Sequence, residues 1–220
     1  MGSRPLFLTA AQWGAPIINS ADAIISGRNP ISTLDQKRQL RSVMRKARRG
    51  LSKIQHKKSA TNLKQQLSQN PHFKCAKRIA LYLPNDGEVN TLPAIQQAWQ
   101  YGQTVYLPVL DPIRKGYLWF VEYSADSRMR TNRFGIAEPD PRFNKRIHPR
   151  FLQAVGLPLV AFDSRGNRLG MGGGFYDRTF EFCRAEGVKP KLFGLAHQCQ
   201  KVEHLPTESW DIQLSEIIAC

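Results

Sequence analysis

No stretch of this sequence approaches the ~20 consecutive apolar residues that a membrane-spanning helix needs. A strongly apolar segment, Val155 to Phe162, is interrupted by Gly156 and Pro158. The opening MGSRPLFLTAAQWGAPII makes a poor signal peptide: it has one early arginine, and Gln12, Gly14 and Pro16 break its short apolar run. Leu6 stands where myristoylation needs Ser or Thr. Cysteine is scarce and unpaired in spacing. Cys75, Cys183, Cys199 and Cys220 suggest free thiols in a reducing cytoplasm rather than a disulfide framework. His197, Cys199 and His204 lie near one another without the spacing of a zinc site, so a metal centre there is the weaker reading.

Acidic residues are missing from a long segment. Lys37 to Arg78 holds fourteen Lys or Arg and no Asp or Glu, and so accounts for nearly all of the net charge of +15. Such a block fits a solvated face, a nucleic-acid surface or a funnel for a polyanionic small molecule. Phe73 is its one aromatic residue of the Phe, Tyr or Trp type, which argues against a base-stacking platform.

The 220 residues suffice for one substantial core. Residues 1–32 carry few charges and no period and end at Gly27-Arg28-Asn29-Pro30, so they read as a poorly ordered extension to a single domain over 33–220. Thr33 and Gln36 have capping-box spacing, followed by an apolar stripe of Leu40, Val43, Met44, Ala47 and Leu51. Lys37, Arg41, Arg45 and Arg48 lie along another face. Ser52 and Gln55 open a second helix carrying Ala60, Leu63 and Leu67. Beyond it, Ile79–Leu83 reads as a strand. Thr91 caps a helix to about Tyr101, with Gly102 as its stop. Thr104–Leu107, Tyr117–Tyr123, Ala154–Phe162 and Lys191–Ala196 read as further strands, and 124–150 as irregular connection. Alternating strands and helices predict an α/β fold: a largely parallel or mixed sheet with helices on both faces.

The stretch Arg168-Leu169-Gly170-Met171-Gly172-Gly173-Gly174-Phe175-Tyr176-Asp177-Arg178 follows a strand and precedes a helix predicted through Phe180 and Cys183. Consecutive glycines there suit close backbone approach to an anion, because unbonded N–H groups and the helix dipole favour negative charge. It is neither a Walker loop, lacking a following Lys-Ser or Lys-Thr, nor a G-x-G-x-x-G fingerprint. Arg168 and Arg178 suit phosphate oxygens. Asp177 suits magnesium, which favours a carboxylate plus nucleotide phosphates.

That eleven-residue stretch resembles the signature loop of the 5-formyltetrahydrofolate cyclo-ligase (methenyltetrahydrofolate synthetase) family. Three further segments agree in order: Lys37-x-x-Leu40-Arg41 with Arg45, Arg48 and Arg49; Gly87-Glu88-Val89-Asn90-Thr91; and Trp210-Asp211-Ile212. The likeness covers residues 34–218. It implies ATP-dependent closure of 5-formyltetrahydrofolate to 5,10-methenyltetrahydrofolate, releasing ADP and phosphate. By the same resemblance, Lys37, Arg41 and Arg168 to Tyr176 contact ATP, with Arg168, Tyr176 and Arg178 at the reacting phosphate. Asp177 and Asp211 hold Mg²⁺. Leu83, Glu88 and the Met171 to Phe175 backbone contact folate, with Trp119 or Phe120 flanking the pterin. Two positions depart from the usual pattern: Gln153 where many relatives carry an acid, and Ser215 where a second Asp is common. The expected partners are small molecules, with no specific nucleic acid or membrane, and the expected state is a cytoplasmic monomer. A nucleic-acid binder using the basic block and a sugar-phosphate isomerase of similar fold remain the rival classes.

Overall fold

The computed structural model describes residues 32–220; the extension predicted over 1–32 lies outside the described residues except for Ser32. Helix α1 spans Thr33–Arg49. Its cap is Ser32, not Thr33: Ser32 has extended backbone and its Oγ accepts from Asp35 N at 3.2 Å, whereas Thr33 is already helical. The buried face also differs from the predicted one. Val43 is 45% exposed, while Lys37, Met44 and Arg48 are buried. The basic face turns inward because long side chains bury their aliphatic stems and Arg48 finds acceptors for its guanidinium.

Helix α2 (Lys53–Gln69) has the predicted Ser52–Gln55 capping box and buries Ala60, Leu63 and Leu67. A short α3 (Pro71–Lys74) leads into β1 (Arg78–Ala80). Helix α4 (Leu92–Gln100) follows Thr91, whose hydroxyl does not cap it but donates to Tyr82 O; Asn90 Oδ1 accepts from Leu92 N at 3.0 Å instead. Then come β2 (Thr104–Leu110) and β3 (Leu118–Tyr123). The segment expected to be irregular contains a hairpin, β4 (Met129–Thr131) and β5 (Ala137–Pro139), and β6 (Arg146–Ile147). Glu138 pins this hairpin, accepting from Arg130, Asn132 and Leu110 N while almost fully buried.

The predicted strand 154–162 is split. Strand β7 (Ala154–Pro158) ends at its proline, and β8 (Ala161–Phe162) turns away to pair with β9 (Arg168–Leu169). Helix α5 (Phe175–Thr179) is only five residues long, followed by a 3-10 turn at Glu181–Arg184, so the longer helix expected here does not form. Strand β10 (Lys191–Ala196) matches its prediction, and an unpredicted β11 (Glu216–Ala219) closes the edge.

The main sheet has the order β11-β10-β7-β1-β2-β3-β6. Its first five strands are parallel, and β3 and β6 are antiparallel to their neighbours. Side-chain alternation gives it two apolar faces: Ile79 packs with Leu63, Ile95, Val105 and Phe193, and Ala80 with Phe120, Val155, Leu157 and Phe180. The chain leaves β1 towards β2 on one side, while β7 pairs on the other. In open α/β sheets, a crevice at the carboxyl ends of such diverging strands is where ligands bind. Helix α1 spans this crevice, packing Leu40 and Met44 on Val160, Ala161, Leu169 and Leu205. No described helix is long and apolar enough to cross a membrane.

Candidate active site

Three groups of residues meet at this end of the sheet. The first is the glycine loop between β9 and α5. Gly172 and Gly174 have φ of +95° and +62°, a region that L side chains adopt only under strain. Gly173 has no such requirement, but a Cβ there would come 2.7 Å from the Phe175 ring. Arg41 Nε donates to Gly170 O at 2.9 Å, and the Arg178 guanidinium donates to Gly173 O and, at 3.0 Å, to Gly116 O. Arg178 thus braces the loop from outside. The hairpin residue Phe134 sets its ring edge-on to Phe175 at 6.2 Å. With only five residues, α5 offers little macrodipole, so any anion affinity falls to the loop amides and flanking arginines.

The second group pairs cations with carboxylates. Arg168 Nη2 donates to Asp177 Oδ1 at 2.8 Å, and Ile212 N donates to the same oxygen at 3.2 Å. Lys37 Nζ lies 3.3 Å from Glu208 Oε1 and 4.0 Å from Asp211 Oδ2. Asp211 also accepts from Glu208 N at 2.8 Å. Burial pulls the Arg41 pKa below its ordinary value, against the attraction of Asp211. Asp177 and Asp211 are therefore neighbours through the 211–212 backbone. Two carboxylates are the donor set with which Mg²⁺ is held when phosphates and water complete its shell.

The third group surrounds Glu88. Glu88 Oε2 accepts from Asn85 N at 3.0 Å, and Oε1 lies 3.8 Å from Arg48 Nη2. Burial pushes the carboxyl up to about 7, with Arg48 opposing the shift. Tyr82 and Tyr176 face the same carboxyl; burial, then Glu88, raises both phenols above their ordinary range. Leu83 packs against the core beside this turn. Met171 of the glycine loop approaches the turn's support, its Sδ 3.9 Å from Arg48 Nη2.

Two residues join these groups without having been assigned to the site: Arg48, read only as part of the basic face of α1, and Glu208, which sequence reasoning missed. Arg48 shares a face with Lys37, Arg41 and Met44 at i, i+4, i+7 and i+11, a spacing visible in the sequence. Glu208 stands 171 residues from Lys37 and carries no such signal. Phe120 is fully buried against Phe180, with centroids 5.5 Å apart, and leaves the site as a core residue. Trp119 points to the other side of β3, under the Arg146 guanidinium at 4.1 Å. Gln153 Oε1 accepts from Lys77 N and Arg78 N, and Ser215 Oγ from Leu192 N, so both departures serve the sheet's backbone. Among the described residues, no three His, Cys, Asp or Glu gather as a metal centre, and His197 instead bonds Ser59 and Gly87 O.

The architecture is that of an open α/β protein with its charged cluster at the switch point of the sheet. Within that class, the chain belongs to the 5-formyltetrahydrofolate cyclo-ligase family, which it matches over residues 33–220. It is 43% identical to the 5-formyltetrahydrofolate cyclo-ligase of Haemophilus influenzae over 183 residues, covering 83% of this chain and 97% of that protein. The Escherichia coli cyclo-ligase is 40% identical over 176 residues, covering 80% and 96%. Among solved structures, the NMR structure of Aquifex aeolicus 5,10-methenyltetrahydrofolate synthetase superposes with a TM-score of 0.71 at 29% identity, covering 83% of this chain and 89% of that one.

Proposed function

We propose that this chain catalyses the ATP-dependent closure of 5-formyltetrahydrofolate to 5,10-methenyltetrahydrofolate, releasing ADP and phosphate. The observation that carries this reading is the contact of Met171 with Arg48. It brings the glycine loop, an anion cradle, against the turn bearing a buried carboxyl suited to pterin N–H groups. Membership of the family supplies the reaction class.

A formamide carbonyl is a poor electrophile. Transfer of the γ-phosphoryl of ATP to the formyl oxygen gives ADP and an imidate-like phosphate. N10 then attacks the formyl carbon and loses its proton, and the C–O bond breaks to release inorganic phosphate. Such a transfer depends on positioning and charge neutralisation. In this reading Lys37 and Arg41 approach the triphosphate from α1, and the backbone from Arg168 to Tyr176 wraps it. Arg168 neutralises charge at the reacting phosphate, where Tyr176 supplies a phenol hydrogen bond. Arg178, bonded to Gly173 O, holds the loop's shape and takes a positioning part rather than the direct one expected. Asp177 and Asp211 would hold Mg²⁺, which supplies neutralisation of the phosphate charges when bound. Glu88, Leu83 and the Met171 to Phe175 backbone line the folate side, with Trp119 as the remaining aromatic candidate beside the pterin.

The ion pairs Lys37–Glu208 and Arg168–Asp177 give the site a ready exchange. Lys37 and Arg168 would turn to the phosphates, leaving Asp177 free to hold the metal with Asp211. We further place the chain in the cytoplasm as a monomer, where its four free cysteines stay reduced and both substrates are at hand. Phosphate release measured against folate concentration tests the reading. One phosphate per folate consumed, and none without folate, is the expected result. Folate-independent ATP hydrolysis would contradict it.

A further inference from the structure

The turn before Glu88 is held with unusual thoroughness. Asp86 is the one non-glycine residue with positive φ among the described residues, at +52°, and Gly87 follows at +76°. Left-handed backbone at both central positions of Asn85–Glu88 is costly unless surrounding groups enforce it. They do so from two elements. Arg48, fully buried on α1, donates from Nε to Asp86 O at 2.8 Å, from Nη2 to Asp86 Oδ2 at 2.9 Å and from Nη1 to Leu159 O at 3.1 Å. His197, 1% exposed after β10, meets Gly87 O through Nε2 at 3.2 Å. A carbonyl only accepts, so Nε2 carries the proton, and Nδ1 accepts from Ser59 Oγ at 3.1 Å. Arg45 and Arg49 also bond the Asp86 carboxylate, so three arginines of one helix converge on it. A Cβ at Gly87 would lie 3.3 Å from the α1 backbone, which leaves the turn no room to withdraw.

We propose that Arg48, Asp86 and His197 are positioning residues for folate recognition, fixing the place and charge state of the Glu88 carboxyl without touching the substrate. The proposal rests on the reading that Glu88 meets folate. Glu88 is faced by Arg48 from α1, Asp86 on its own turn, Tyr82 two residues beyond β1, Tyr176 from α5 and the His197 ring against the turn backbone. Arg48 favours the ionised carboxylate and Asp86 disfavours it. The same helix carries Lys37 and Arg41 to the ATP side, so the two halves of the site share one rigid support.

The opposite signs of Arg48 and Asp86 make the proposal testable. Folate KM, ATP KM and kcat are measured against pH for the full chain and for Arg48→Met, Asp86→Asn, His197→Gln and Glu88→Gln, each checked by thermal melt. Glu88→Gln raises folate KM and removes the limb of its pH profile near neutrality. Arg48→Met moves that limb to higher pH, and Asp86→Asn, whose side chain tolerates positive φ, moves it to lower pH. His197→Gln raises folate KM about tenfold without moving the limb, and ATP KM stays within about twofold in all three. Global loosening of the fold would not move one titration in two directions. If Glu88→Gln disturbs folate KM while Arg48→Met and Asp86→Asn leave the limb in place or move it the same way, the positioning role is overturned and the folate role of Glu88 stands. If Glu88→Gln itself changes nothing, both fall. Should Arg48→Met fail to fold, Asp86→Asn at its half-exposed turn decides by the direction of its shift alone.

Discussion

Gly172→Ala is the substitution that separates an anion-binding backbone from a merely flexible loop. Gly172 sits at φ +95°, and a Cβ there would lie 3.3 Å from Cζ of Arg41. Holding an L-residue in that region costs about 1–2 kcal/mol. For a protein of this size, each kcal/mol lowers Tm by about 2–4 °C, so a drop of roughly 2–8 °C is expected. The ATP effect is larger. Displacing one backbone N–H and crowding Arg41 loses a charge-assisted hydrogen bond, worth about 1.5–3 kcal/mol, or roughly ten- to hundredfold in affinity. Gly102→Ala is the matched control, since Gly102 also has positive φ, +69°, a Cβ there meets nothing within 4 Å, and it lies outside the loop. It should lower Tm comparably and leave ATP affinity nearly unchanged. Calorimetric titration of Mg-ATP beside a thermal melt of each variant provides both numbers. Equal ATP affinities for the two variants, both folded, would refute the assignment of this loop to phosphate.

Three further outcomes follow from the geometry. Asp177→Asn removes the partner of Arg168 and a proposed metal ligand, so turnover should collapse with little change in fold by circular dichroism; near-normal turnover at saturating Mg²⁺ would rule out the metal role. Glu88 binds its proton up to about pH 7 in the folded state but only to about 4.5 when unfolded, so it costs stability as pH rises through that window, by up to about 3 kcal/mol. His197, held down to about 4 by burial and His56, works oppositely: its contribution is present above its ordinary 6.5 and is lost as pH falls through that window. The two slopes therefore offset each other between pH 4.5 and 6.5, and Glu88→Gln should uncover stability that rises with pH there; denaturant midpoints that keep the parent's pH dependence would contradict the Glu88 shift, and midpoints of the variant that do not rise with pH would contradict the His197 shift. Ser32→Ala should cost about 1 kcal/mol through the lost cap, seen as a Tm lower by about 2–4 °C with turnover unchanged; an unshifted melt would return the cap to Thr33.

What the sequence made legible were contiguous features. The glycine loop, the Gly87–Thr91 segment and the Ser52–Gln55 cap are short strings whose chemistry is local, and each is found where it was expected. The inward face of α1 was hidden for a physical reason. A hydropathy pattern counts Lys37, Arg41 and Arg48 as polar, although their stems bury and Arg48 is satisfied by carbonyls of Asp86 and Leu159. Those acceptors lie 38 and 111 residues away in the chain, so no local pattern could reveal them. Thr91 has the residue type of a cap, yet tertiary structure recruits its hydroxyl to Tyr82 O. The hairpin that brings Phe134 to Phe175 is built of three-residue strands, too short for alternation to stand out.

The most direct test of the whole account is to mix the purified chain with 5-formyltetrahydrofolate and follow the absorbance of the methenyl product. With Mg-ATP present, the methenyl band should grow until the folate is consumed; without ATP it should not appear, and Arg168→Met should abolish it even with ATP. No methenyl band from folded protein with Mg-ATP, or a band that grows equally well without ATP, would contradict the central claim.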